Sequence, residues 1–141
     1  MKRAARMRRI IGLARNAQTQ AAQRVASARD DMLRQQQQLE QFRRYLTEYD
    51  KSLAAGTERV GATRAREIKR FMEQLQQAID SLEHGGERAS AEFERSVAVW
   101  QKESRRGNAL ADIADAALRA SEQRDELSSQ YELDDFIARR Y

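Results

Sequence analysis

The sequence has no cysteine and no proline, a single histidine, a single tryptophan, and only 6% aromatic residues in its 141 positions. Without cysteine there is neither a disulfide framework nor a thiolate metal site, so no oxidising compartment is required and no redox function is indicated. Apolar runs are short, and none approaches the roughly 18 residues needed to cross a bilayer, so the chain is not integral to a membrane. A glycine-rich phosphate loop is also missing, which argues against binding or hydrolysis of nucleotide by the chain itself. His84 has no second His or Cys nearby to complete a metal set and reads as a solvated helix residue. No cofactor and no small-molecule substrate are expected.

Leu, Ile, Val and Phe make up less than a fifth of the chain, too few for the core of a compact globule, so marginal stability is expected. Ala, Glu, Lys, Leu and Arg make up just over half of it, the composition of a long helix or coiled coil, and β-sandwich and Rossmann architectures are excluded. The formal net charge of +4 is modest for a disordered chain, and the apolar residues are regularly spaced.

From Ile11, alternating steps of three and four give Ile11, Ala14, Gln18, Ala21, Val25, Ala28, Met32, Gln35, Leu39, Phe42, Leu46, Tyr49 and Leu53. A mean step of 3.5 residues keeps these side chains on one seam of a helix. The seam predicts a first helix over about 4–54, roughly 75 Å long at 1.5 Å per residue. Gly56 and Gly61 bracket a reversal over about 55–63, where positive φ angles are expected. A second seam runs through Ile68, Met72, Leu75, Ile79, Leu82, Gly86, Ala89, Phe93, Val97 and Trp100, then less regularly through Leu110, Ile113, Ala117 and Leu127. It predicts a second helix over about 64–130.

The fold class expected is therefore all-α, two long helices folded back as an antiparallel coiled-coil hairpin within one domain. With the turn centred near residue 59, position n faces roughly 118 minus n, which leaves 108–141 as an unpaired, partly flexible overhang. Gly85 and Gly86 interrupt the second helix at about 1 kcal/mol each relative to alanine, as a weak spot or close helix approach, or as a hinge. Such a hairpin offers no cavity for convergent catalytic groups, and the chain is not expected to be an enzyme.

Two surfaces stand out. Residues 1–29 carry Lys2, Arg3, Arg6, Arg8, Arg9, Arg15, Arg24 and Arg29 with no acid before Asp30. This suits nucleic acid, an anionic membrane surface or an acidic protein, or else a merely solubilising end. The segment faintly resembles an organelle presequence, but the seam runs into it and cleavage is not expected. Before the turn, Gln38, Phe42, Tyr45 and Tyr49 recur at helical spacing, and Phe71, Leu75, Ala78 and Leu82 form a matching line after it. Either both lines are the tight end of the seam, or they form an aromatic patch that binds a protein.

These residues resemble the FliJ family of flagellar export proteins. The likeness lies in Gln38-Leu39 with Tyr45-x-x-Glu48-Tyr49, in Phe71-Met72-x-x-Leu75-x-x-Ala78-Ile79, in Trp100 followed by a charged segment, and in Leu133-Asp134-Asp135-Phe136 with Arg139. Leu82, where the family favours histidine, and the Gly85-Gly86 pair depart from it. The resemblance implies a cytoplasmic component of the flagellar type III export apparatus, peripherally associated with the inner face of the cell membrane at the flagellar base. Its implied partners are the hexameric export ATPase, the cytoplasmic domain of the export gate and the export chaperones. Gln38, Phe42, Tyr45, Tyr49, Phe71, Leu75, Ala78 and Leu82 would be the protein-binding residues, the second line facing the gate. Two other readings are an equivalent stalk in a virulence secretion system and a basic helical nucleic-acid binder. The latter lacks a recognised reading motif, and no nucleic-acid partner is expected.

Overall fold

A computed structural model describes residues 2–56 and 61–140. It is all-helical, with two long helices that pack against each other: α1, Lys2–Gly56, and α2, Ala62–Arg140. The expected reversal falls largely on residues 57–60, which lie outside the described residues. No glycine among the described residues has a positive φ, and Gly61 instead caps α2. Its carbonyl accepts the amides of Arg64 at 3.0 Å and Ala65 at 3.1 Å, the first bonds of that helix. Gly85 and Gly86 lie within the continuous α2 helix.

The chain divides into two compact units, one of residues 22–99 and one of residues 1–21 with 100–141. In the first, α1 covers Val25, Ala28, Met32, Gln35, Leu39, Phe42, Leu46 and Leu53 at least in part, the positions that the spacing selects. On α2, Ile68, Met72, Leu75, Ile79, Leu82, Ala89, Phe93 and Val97 are likewise covered, with Ile79 only 2% exposed. Cross-helix contacts join Tyr49 to Phe71, Arg43 to Glu83 and Gln35 to Gly85, so α2 advances as α1 recedes, consistent with an antiparallel pair.

In the second unit Ala14 and Ala21 are buried, and Met7, Ile11 and Gln18 are half-buried. The α2 side is covered at Ser104, Gly107, Leu110, Ala111 and Ala114, a line of mostly small residues that apolar patterning does not detect. Ile113, Ala117 and Leu127, expected to continue the seam, are exposed instead. The contacting pairs have numbers that add to between 120 and 126 rather than 118, so α2 is covered further along than expected. Leu110 is accordingly half-buried, whereas every residue from 121 to 140 is exposed.

The two polar members of the α1 seam share one device. Gln18 and Gln35 both face a glycine of α2: a Cβ built on Gly107 would lie 3.2 Å from Gln18 Oε1, and one on Gly85 only 2.6 Å from Gln35 Oε1. Glycine thus makes room for the amide. Gln35 Oε1 is buried and has no hydrogen-bond partner among the described residues. A Cβ on Gly86 would meet nothing within 4 Å. Gly86→Ala is therefore expected to stabilise the fold by up to about 1 kcal/mol in urea unfolding followed by circular dichroism. Gly85→Ala is expected to gain less or to destabilise, because it must displace Gln35; equal gains at both sites would contradict this packing.

Candidate partner-binding surface

The seam explains why the two aromatic lines are wider than one helix partner needs. Phe42 and Tyr49 occupy seam positions of α1, and Leu75 and Leu82 those of α2. Gln38, Tyr45, Phe71 and Ala78 each stand one residue before a seam position. In an antiparallel pair, residues just before the seam on both helices fall on one flank and those just after it on the other. Arg43 and Glu83, each one residue after a seam position, meet across the second flank at 2.8 Å.

The first flank carries the aromatic surface. Tyr49 and Phe71 pack edge to face with centroids 5.0 Å apart, and Phe42 lies 6.4 Å from Tyr45. Gln41 Nε2 donates to the Tyr45 hydroxyl at 2.7 Å, holding that ring along α1. Phe71 remains 45% exposed, and Tyr45, Tyr49 and Gln38 are exposed too. Ala78, Phe42 and Leu82 are half-buried, and Leu75 is only 7% exposed. The eight residues are thus of two kinds: open side chains that a partner can reach, and seam side chains that hold them in place.

Toward Gln38 the same flank opens into a groove of about 750 Å³, bordered by Gln35, Gln38, Gln41, Gly85, Arg88 and Glu92. Sequence reasoning missed this continuation. Its signal was the Gly85 position, which leaves the groove without a side chain where the heptad step from Ala78 would place one. His84 is exposed, and among the described residues no three His, Cys, Asp or Glu side chains converge as metal ligands do. Among those residues, no helix is long and apolar enough to cross a membrane.

Two packed helices with an open aromatic flank define a helical scaffold. The chain belongs to the FliJ family: the family model described as Flagellar FliJ protein matches residues 1–141, the whole sequence. Membership supports a role in flagellar protein export, as a component of the export machinery. No curated protein and no solved structure matches the chain.

The division into open and seam residues has a measurable consequence. Leu75→Ala is expected to cost about 2 kcal/mol of stability, the low end for a buried leucine in so thin a core. Tyr45→Ala and Phe71→Ala are each expected to cost under about 1 kcal/mol, because Tyr45 is 40% and Phe71 45% exposed against 7% for Leu75. Urea titration of the three variants checks the order, and a larger loss for Phe71→Ala than for Leu75→Ala would reverse the assignment.

Proposed function

We propose that this chain is a coiled-coil stalk of the flagellar type III export apparatus. In this reading it binds the hexameric export ATPase, links it to the cytoplasmic domain of the export gate and escorts the chaperones of export substrates. Flagellum assembly and motility would then depend on it. It acts in the cytoplasm at the inner face of the membrane at the flagellar base, held there by its partners. The observation that carries the reading is the family match over the whole chain together with the open flank of Gln38, Tyr45 and Phe71.

The physical properties suit the role. A chain with only five buried apolar residues among those described gains much of its rigidity from what it binds, since any partner that prefers the folded form stabilises it. Exposed tyrosine and phenylalanine on a fixed helix present contact area at little entropic cost, as interface anchors do. The unit of residues 1–21 and 100–141 is assigned to the ATPase, and the aromatic flank between residues 38 and 82 to the gate.

Hydrolysis of ATP by the cognate export ATPase tests the first half of this assignment. Stoichiometric addition of the chain at near-physiological salt is expected to raise the rate, and truncation of either helix in the first unit to abolish the gain. Absence of both stimulation and complex formation would remove the stalk reading. For the second half, Tyr45→Ala and Phe71→Ala are each expected to weaken binding of the gate domain by about 1–2 kcal/mol, roughly tenfold, with ATPase stimulation retained. Unchanged gate affinity in both variants would remove the flank from that contact.

A further inference from the structure

Within the unit of residues 1–21 and 100–141, two helical segments of equal length carry opposite charge. Residues 2–15 hold Lys2, Arg3, Arg6, Arg8, Arg9 and Arg15 and no acid. Residues 122–135 hold Glu122, Asp125, Glu126, Glu132, Asp134 and Asp135 against Arg124 alone. Each span covers about 21 Å of helix at 1.5 Å per residue. Every one of these charged side chains is exposed. Among the described residues, the ion pair made by either span is Asp135 to Arg139 at 3.4 Å, which stays within α2.

Apolar side chains lie among the charges. Leu13 is 64% exposed on the basic span, beside the exposed Ile10. On the acidic span Tyr131 is 73% exposed, with Leu127 and Leu133 exposed on either side of it. Burying these side chains is favourable only against a surface that also answers the charges around them.

A partner of one sign answers half of this surface. An anionic membrane or an acidic protein attracts residues 2–15 and repels 122–135, and a basic partner does the reverse. A partner bearing both signs over matching lengths answers both, and this chain is itself such a partner. We propose that a second copy covers this surface, the acidic span of each copy lying along the basic span of the other about a two-fold axis. Such a contact is self-complementary, because what residues 122–135 of one copy give to residues 2–15 of its partner is returned in full. The pairing describes the free chain: it forms without any other component, and engagement of the same unit by the ATPase would displace it.

Sedimentation equilibrium of the full chain tests it. Two chains are expected to associate at about 0.1 M salt, with a dissociation constant at least about tenfold weaker at 1 M, where the Debye length falls from about 10 to 3 Å. Reversing the basic span by Arg3→Glu, Arg6→Glu, Arg8→Glu and Arg9→Glu together, which leaves Lys2 and Arg15 against four carboxylates, is expected to give single chains. Reversing the acidic span by Asp125→Lys, Glu126→Lys, Glu132→Lys and Asp134→Lys together, which leaves Glu122 and Asp135 against four lysines and Arg124, is expected to do the same. An equimolar mixture of the two variants is then expected to restore the pair, since each now answers the other. Because the substituted side chains are exposed, helicity should hold; should either reversed variant lose it, Leu13→Ser and Tyr131→Ser, which keep every charge, are expected to weaken the pair in its place. The proposal is overturned by a chain that stays single at all concentrations, by a pair that survives either reversal, or by a mixture that fails to associate. Binding of residues 2–15 to phosphatidylglycerol vesicles by a chain that remains single would also overturn it and assign the basic span to a lipid surface.

Discussion

Everything in this protein depends on one narrow seam shared by two helices. Helices of this length are held by tertiary burial more than by propensity, and here that burial comes from a single stripe on each. Within the unit of residues 22–99 the stripe is built of Leu, Ile, Met and Phe, and Leu75 and Ile79 are its best-covered members. Within the unit of residues 1–21 and 100–141 its buried members are Ala14 and Ala21, and beside half-buried Met7, Ile11 and Leu110 it runs over Ser104, Gly107, Ala111 and Ala114. Small residues bury little area per turn, so this second unit is held more weakly for each turn of helix.

Polar residues enter the seam in a patterned way. Gln18 and Gln35 each stand opposite a glycine, so a long amide on one helix is matched by an absent side chain on the other. A polar residue in an otherwise apolar seam tends to fix register at some cost in stability. The same Gly85 opens the groove beside Gln38. Packing and surface are therefore coupled at that point: filling the glycine would alter both.

Much of the fold was legible because a 3.5-residue period needs no knowledge of the partner helix. Every α1 seam position from Ile11 to Phe42 is at least half-buried, including the two glutamines, whose place was set by spacing alone. After Val97 the apolar signal fails, since half-buried Ser104, Gly107 and Ala114 carry no apolar pattern while exposed Ile113 and Leu127 do. Cross-helix facts, such as Arg43 meeting Glu83 or Gln35 facing Gly85, depend on register to within a residue or two, and periodicity does not supply it. For the candidate surface the eight residues were readable as two lines. Their separation into open side chains (Gln38, Tyr45, Tyr49, Phe71) and supporting ones required the burial of Leu75 to be seen.

An open aromatic flank supported by a thin seam is the physical basis for assigning this member of the FliJ family to a contact within the export machinery. Amide hydrogen exchange of the chain, alone and with the export-gate cytoplasmic domain, tests that assignment most directly, because a thinly packed helix opens readily and a bound partner slows the opening. Slowed exchange concentrated in residues 38–49 and 71–82 is the predicted result. Protection confined to other segments, with those two unchanged, would contradict it.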